Sequence, residues 1–195
     1  GNGLAGIPGM EHAFYQGLEQ AIDYATALNV PSVNILAGKQ PLDCDLLPCL
    51  KTLSSNLKLA CALLTQQQIQ PLFEIVNGTD MPRFLVQNIA QAQEMLEAVQ
   101  HPALKIQYDC YHMAMMGEDV LYSLQENIQD IGHIQFADCP ARHEPDTGEI
   151  AFGPIFNWLR QSTYSGYIAA EYKPKIDSDH SFDWKDKYFV KHRPS

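Results

Sequence analysis

Apolar residues recur with two different periods along this chain, and the alternation of the two periods predicts its architecture. Spacing of three or four residues is typical of helices, whereas short apolar runs and strict alternation are typical of strands. The helical spacing predicts helices at residues 10–29, 45–68, 81–100, 120–127 and 153–161. The second pattern predicts strands at residues 32–36, 71–76, 104–108, 131–137 and 167–172. Because strands and helices alternate throughout, we predict a single α/β domain over residues 1–195 with about five parallel strands.

The stretch 131–150 joins the central predicted strand to a loop dense in ionisable residues. In the strand, Ile134 and Phe136 fall on one face, and polar side chains including Gln135 fall on the other. The loop then contains Arg142, His143, Glu144, Asp146 and Glu149. A loop of this kind can bind a small anion, although polar loops are also commonly nothing more than solvated surface.

Four oxygen-bearing side chains lie at or near the ends of successive predicted strands. They are Glu74, Asp109, Gln135 and Glu171. The carboxyl ends of parallel strands form the functional rim of α/β folds, so these side chains should face one mouth. A single acid there is commonly a solvated or helix-capping carboxylate, but three crowded carboxylates repel one another unless a cation lies among them. All-oxygen ligation favours Mg²⁺ or Mn²⁺ over zinc.

Further polar side chains lie close to this predicted rim. His112 follows Asp109 and has three interpretations: a proton shuttle, a hydrogen-bond donor behind the ligands, or an ordinary loop histidine. A small anion bound here would need a cationic partner, and Arg142 or His143 can supply it. The predicted substrate-binding residues are His112, Arg142, His143 and Glu149.

Charge and composition exclude several classes of partner. The 13 basic and 23 acidic residues give a formal net charge of −10, which repels phosphate backbones and anionic membranes, so no nucleic acid or membrane partner is expected. No apolar run approaches the ~18 residues of a membrane span. The 5 cysteines include no CxxC pair, which predicts reduced thiols and a cytoplasmic protein.

The motifs around these residues resemble those of the hydroxypyruvate isomerase family, a branch of the xylose isomerase-like (β/α)8 TIM barrels. The matching segments are GLAGIPG, FEIVN, QYDCYHM, GHIQFAD, RHEPDTGEI and AAEYKP. The resemblance implies metal ligation by Glu74, Asp109, Gln135 and Glu171, with Glu74 and Glu171 as the catalytic acid/base pair. One departure is Ile75, where the family usually has proline. The resemblance also implies an incomplete barrel that lacks three N-terminal βα units.

The function implied by this resemblance is an isomerase of glyoxylate metabolism. It would interconvert hydroxypyruvate and 2-hydroxy-3-oxopropanoate (tartronate semialdehyde) by proton transfer or by hydride shift. The alternatives are a sugar epimerase on the same scaffold, a non-catalytic remnant, and a nuclease of the endonuclease IV type. The nuclease needs a histidine-rich zinc cluster and a basic groove, which the composition disfavours. Two unclosed barrel edges predict association of copies of the chain.

Overall fold

A single parallel sheet forms the centre of the molecule. The computed structural model describes residues 2–189, so the predictions for residue 1 and for residues 190–195 lie outside the described part of the chain. The strands are β1 (Ser32–Ile35), β2 (Gln70–Glu74), β3 (Lys105–Asp109), β4 (Ile131–Phe136) and β5 (Tyr167–Ala170). All neighbouring strands are parallel and follow the chain in order, β1-β2-β3-β4-β5. The predicted incomplete TIM-barrel architecture with five strands is therefore confirmed.

Helices connect the strands and cover one face of the curved sheet. They are α1 (Glu11–Ala27), α2 (Leu46–Gln66), α3 (Ile89–Val99), α4 (Cys110–Met115), α5 (Val120–Asn127), α6 (Phe152–Gln161) and α7 (Asp183–Phe189). Short 3₁₀ turns at Ile128–Asp130 and His180–Phe182 precede β4 and α7. Within the described residues no helix is long and apolar enough to cross a bilayer.

The hydrophobic core lies between the sheet and these helices. From α2, Leu53 and Leu57 are fully buried, and they belong to the same apolar cluster as Phe73 of β2. A group of aromatic rings centred on Phe136 of β4 forms another part of the core. The centroid of the Phe136 ring lies 5.1 Å from that of Phe156 and 5.2 Å from that of Trp184. Burial of these rings fixes the face of β4, because successive side chains of a strand point to opposite sides.

The two faces of β4 follow the predicted alternation. Ile134 and Phe136 are buried at 1% and 2% exposure, facing the helices. His133 and Gln135 are half-buried on the opposite face, which lines the inside of the open barrel. The polar inner face therefore directs Gln135 toward the mouth formed by the strand ends.

The structure shortens the helix predicted at residues 81–100. Helix α3 begins only at Ile89, where Asn88 has extended backbone and its side chain accepts a hydrogen bond from the Gln91 N–H. The preceding Phe84, Leu85 and Val86 are buried in an irregular, non-helical segment instead. Their apolar spacing imitated a helix, but the N-cap and packing against the strand ends determine the real boundary.

Two further helices were not predicted from the sequence. Helix α4 begins directly after Asp109, whose carboxylate accepts a hydrogen bond from the Tyr111 N–H. Helix α7 lies in the tail, for which the sequence pattern indicated no structure, and it is anchored by Trp184. The last strand is also shorter than predicted, because β5 ends at Ala170 and not at residue 172.

Candidate active site

The strand ends bring two buried carboxylates to the mouth of the open barrel. Glu74 is the last residue of β2 and Asp109 the last residue of β3, and they are 8% and 0% exposed. One ligand atom from each lies within 4.8 Å of the other and of a ring nitrogen of His112. Residues that lie on neighbouring strands thus form one compact acidic group.

Burial opposes the ionisation of both carboxylates. It raises the pKa of Glu74, although hydrogen bonds from Asn34 and Gln107 partly offset the effect; Asn34 Nδ2 donates to Glu74 Oε2 over 2.7 Å. It raises the pKa of Asp109 to about 7, against the opposing influence of the nearby Arg142 guanidinium. Each charge also disfavours the other, so a cation placed between them would stabilise the ionised forms.

Arg142 connects the buried acids to the last predicted ligand. Its Nη2 lies 3.3 Å from Asp109 Oδ2 and 2.7 Å from Glu171 Oε2, and its guanidinium stacks over the ring of Tyr111 at 4.9 Å. The backbone of Arg142 has φ 57°, and its N–H donates to the Asp138 carbonyl over 2.9 Å. The loop therefore turns its arginine inward to the mouth.

The remaining predicted ligands lie on the strands that follow. Gln135, in β4, pairs in register with Asp109, and its Oε1 accepts a hydrogen bond of 2.7 Å from Gln107 Nε2. Glu171 follows β5, and its N–H donates to the Phe136 carbonyl over 3.0 Å. Its side chain is 54% exposed and reaches the buried acids through Arg142. The four residues share one rim, and their ligand roles stay predictions.

His112 lies deeper in the site than the sequence indicated. Its side chain is buried, with Nε2 at 3.6 Å from Asp109 Oδ2. Burial lowers its pKa to about 4, and the charge of Arg142 acts in the same direction. His112 is therefore neutral over the physiological range of pH.

The other two predicted substrate-binding residues make different contacts. His143 is half-buried and its Nδ1 lies 2.7 Å from the Lys173 carbonyl, which ties the loop to the segment after β5. Glu149 is exposed and lines a separate cavity of about 460 Å³ that also includes Glu118 and Cys139. Among the described contacts, Arg142 and His112 are the predicted substrate-binding residues that approach the buried carboxylates.

Several residues of the site were missed by sequence reasoning. Asn34 and Gln107 contact the predicted ligands from inside the sheet, and Asn77, Asp80 and Tyr111 surround His112. The available signal was a polar residue inside an apolar strand, as in SVNI or KIQYD. Such positions lie on the inner face and need a hydrogen-bond partner when they are buried.

The profile of the xylose isomerase-like TIM barrel family matches residues 2–188, almost the whole chain. The chain belongs to this family. Among curated relatives, hydroxypyruvate isomerase of Escherichia coli is 38% identical over 186 residues, which are 95% of this chain and 72% of that enzyme. The 2-oxo-tetronate isomerase of Cupriavidus necator is 34% identical over 95% of this chain and 72% of that enzyme. The implied membership of the hydroxypyruvate isomerase branch and the expected isomerase class are both confirmed.

Solved structures agree with this assignment. A crystal structure from Brucella melitensis, described as an AP endonuclease of family 2, has TM-score 0.91 and 28% identity and covers 95% of this chain and 72% of that one. The 3-keto-D-glucoside 4-epimerase from E. coli has TM-score 0.77 and 21% identity, and the match covers 95% of this chain and 76% of that one. The second similarity concerns the fold alone.

The donor set of the site fits a hard divalent cation. One carboxylate oxygen of Glu74 and one of Asp109 lie within 4.8 Å of each other, which is the separation found across an ion with ligands at about 2–2.6 Å. In the described part of the chain, Asn34 Oδ1 is buried without a hydrogen-bond partner, so the mouth has an acceptor to offer to a donor group of a ligand. The two buried acids have a cationic side chain beside them, Arg142, and a bound cation would favour the ionised forms of both further.

Proposed function

We propose that this protein interconverts hydroxypyruvate and 2-hydroxy-3-oxopropanoate in a reaction that depends on a divalent metal. The observation that carries the proposal is the buried pair Glu74 and Asp109, joined through Arg142 to Glu171 at the mouth of a barrel of this family. The E. coli relative named hydroxypyruvate isomerase supports the choice of substrate. A cytoplasmic setting is part of the proposal and is supported by five free thiols.

The proposed ligands of the cation are Glu74, Asp109, Gln135 and Glu171. All four offer oxygen atoms, which suits Mg²⁺ or Mn²⁺. Such an ion, when bound, polarises the neighbouring carbonyl and hydroxyl oxygens of the substrate. Asn34 and Gln107 orient two of the ligands, because they donate hydrogen bonds to Glu74 and Gln135.

In the proposed mechanism, the two glutamates move protons between adjacent substrate carbons. One carboxylate removes a proton from the hydroxyl-bearing carbon, which leaves an enediolate, and the hydroxyl proton moves to the former carbonyl oxygen. The partner, protonated at the start of the turnover, then gives a proton to the former carbonyl carbon, and proton exchange with solvent restores both carboxyl groups. No atoms are gained or lost overall. Burial raises the pKa of Glu74, which makes this residue a better proton acceptor than an exposed glutamate. A hydride shift would employ the same residues, but it would not exchange the moving hydrogen with solvent.

Arg142 is the proposed partner of the substrate carboxylate. Its guanidinium lies at the mouth, is partly exposed at 26%, and can form two parallel hydrogen bonds with a carboxylate. His112 would donate a hydrogen bond to another oxygen of the same substrate. These two contacts would orient a small acid relative to the glutamates.

The experiment is a turnover assay on this chain with hydroxypyruvate, after treatment with EDTA and then with Mg²⁺ or Mn²⁺ restored. We expect activity only with metal, and incorporation of solvent deuterium if protons are transferred. The Glu126→Gln variant, altered at an exposed carboxylate on α5, is the matched control for Glu74→Gln. Absence of turnover at saturating metal would contradict the proposal and favour the non-catalytic alternative.

A second candidate substrate deserves the same assay. The C. necator relative at 34% identity is named 2-oxo-tetronate isomerase, so a longer hydroxy-oxo acid fits the same chemistry. If kcat/KM is higher for 2-oxo-tetronate, this acid replaces hydroxypyruvate as the proposed substrate. Turnover of neutral ketoses alone would favour the epimerase alternative.

A further inference from the structure

A hydrogen-bonded group lies behind His112, on the side away from the carboxylates. It consists of Asn77, Asp80 and Tyr111, which we call the histidine support. The backbone N–H of Asn77 donates to His112 Nδ1 over 3.4 Å, and the side-chain Nδ2 of Asn77 lies 2.7 Å from the same ring nitrogen. A backbone N–H can only donate, so His112 Nδ1 must be the acceptor. In a neutral imidazole the hydrogen then resides on Nε2.

The orientation of the Asn77 amide is fixed independently of the histidine. Asp80 N–H donates to Asn77 Oδ1 over 2.8 Å, and Asn77 Nδ2 donates to Asp80 Oδ2 over 3.0 Å. A backbone N–H cannot accept and a carboxylate cannot donate, so the reversed amide would place both pairs in conflict. Asn77 therefore presents its NH₂ group, and not its carbonyl, to the ring of His112.

Tyr111 extends the support to the second group that we expect to contact the substrate. Its hydroxyl donates to Asp80 Oδ2 over 2.7 Å, and its ring lies under the Arg142 guanidinium at 4.9 Å. The histidine support thus contacts both His112, through Asn77, and Arg142, through the ring of Tyr111. Loss of one hydrogen bond in the support would disturb both.

We propose that Asn77 is a positioning residue that holds His112 as the neutral Nε2–H tautomer, so that His112 donates a hydrogen bond to a substrate oxygen. The geometry of the ring supports this direction, because Nε2 lies near the carboxylates at 3.6 Å from Asp109 Oδ2 while Nδ1 faces the support. The identity of the substrate oxygen rests on the proposed function. The tautomer rests only on the contacts of Asn77.

The proposal separates His112 from the metal ligands. To bind a cation through Nε2, the ring would need its lone pair there and its hydrogen on Nδ1. That hydrogen would then point at the backbone N–H and the NH₂ group of Asn77. Both of these groups are donors, so the hydrogen on Nδ1 would face no acceptor. Although a ring nitrogen of His112 lies close enough to join the acidic group, its hydrogen bonds assign it a different task.

The direct test is nuclear magnetic resonance of the chain labelled with ¹⁵N-histidine, with the His112 signals assigned from a His112→Gln variant. We expect a pyrrole-type Nε2 and a pyridine-type Nδ1 in the unaltered chain, unchanged when Mg²⁺ is added. Asn77→Ala should move both nitrogen shifts toward intermediate values, and Tyr111→Phe should cause a smaller change in the same direction. The Phe variant keeps the ring under Arg142, so it remains informative if Asn77→Ala does not fold.

The matched control is Asn56→Ala. Asn56 is also buried and its side chain donates to the Ala5 carbonyl over 2.8 Å, but it belongs to α2 and is outside the histidine support. This variant should leave the His112 shifts unchanged. A pyridine-type Nε2 in the unaltered chain would overturn the inference, as would a His112 spectrum equally insensitive to Asn77→Ala, Tyr111→Phe and Asn56→Ala.

Kinetics distinguish a failure of this inference from a failure of the proposed function. With an active preparation we expect Asn77→Ala to lower kcat/KM roughly tenfold, the effect of one misdirected hydrogen bond, without a change in metal affinity. A purely structural role would lower stability with an unchanged kcat/KM for the folded fraction. If no substrate is turned over, the proposed function fails while the NMR result still decides the tautomer.

Discussion

Individual acidic residues of the site differ mainly in their burial and in the side chains that they contact. Asp109 is completely buried and has a pKa near 7, whereas Glu171 is largely exposed and contacts Arg142. Glu74 lies between these extremes, buried but hydrogen-bonded by Asn34. Acidic residues that look equivalent in the sequence therefore lie in different surroundings.

The paired-glutamate mechanism predicts large and similar effects at two positions. Glutamine at position 74 or 171 keeps the size and one ligating oxygen but removes the basic group. We expect Glu74→Gln or Glu171→Gln to reduce turnover by about 10²-fold or more at saturating metal, with some metal affinity retained. Asp109→Asn should act through metal binding and be partly rescued by excess Mg²⁺ or Mn²⁺. Near-normal turnover in both glutamine variants would exclude the pair.

Metal affinity should depend on pH because the proposed ligands must be ionised. The pKa of Asp109 is about 7 in the protein without bound metal, and the pKa of Glu74 is also raised. Below pH 7 the cation must displace a proton from Asp109, so affinity should increase as the pH increases from about 6 to 8. Calorimetry in buffers of different ionisation enthalpy measures the released proton. Equal affinity at pH 6 and pH 8 would contradict the prediction.

The sequence predicted the acids of the site better than their neighbours. Glu74 and Asp109 could be found because each ends an apolar strand, a position that the parallel topology brings to one rim. Asn77 could not be assigned a role, because its partner His112 lies in α4, after a different strand, and the contact depends on backbone geometry. Glu149, predicted from charge alone, lines a different cavity.

At the scale of elements, the loop after β4 is organised by a buried carboxylate. Asp138 is 1% exposed and accepts hydrogen bonds from the N–H groups of Cys139, Thr147, Gly148 and Ile150, at 2.9 to 3.0 Å. The same loop carries Arg142, so the position of the arginine depends on this one side chain. The sequence motif showed the charges of the loop but not which of them points inward.

We expect Asp138→Asn to loosen this loop without unfolding the sheet. The asparagine has the same size, but one of the two carboxylate oxygens is replaced by an NH₂ group. The backbone N–H groups that donate to that oxygen then lose their acceptor and face another donor. A loss of about 2–4 kcal/mol in the free energy of unfolding should result, since unsatisfied buried donors are costly. Urea titration measures the loss, and faster amide exchange at Thr147, Gly148 and Ile150 locates it. Glu149→Gln in the same loop is the control, and equal exchange rates in both variants would refute the interpretation.

Helix boundaries were less predictable than the alternation of helices and strands. Apolar periodicity found the strands within two residues, because their burial is set by local pattern. It overextended α3 at the N-terminal end, since Phe84 and Val86 are buried in an irregular segment whose backbone pairs with residues distant in the sequence. Helix α7 was missed because its aromatic residues pack against α6 and β4, contacts that no local pattern encodes.

At the scale of the whole molecule, the sheet is a barrel segment with two edges. In the described residues β1 pairs only with β2 and β5 only with β4, although a closed barrel of this kind has eight strands without an edge. The chain also spans 72% of the E. coli relative's length. Three of the predicted ligands lie in β2, β3 and β4, whereas Glu171 directly follows the edge strand β5. The rim at Glu171 therefore adjoins an open edge.

The open edges lead to the last prediction, which concerns association. Edge strands present unpaired backbone donors and acceptors, and at β5 the large side chain of Tyr167 is 69% exposed. We expect copies of the chain to associate as concentration increases, or to unfold at modest temperature, and sedimentation velocity together with thermal unfolding measures both. Tyr167→Lys should weaken association, because a charged side chain on an edge opposes strand pairing. Tyr122→Lys makes the same chemical change at a 61% exposed position on α5, away from both edges, and should leave association unchanged. An unaltered chain that sediments as an ideal monomer at high concentration and unfolds cooperatively at ordinary temperatures would show that these edges do not drive association.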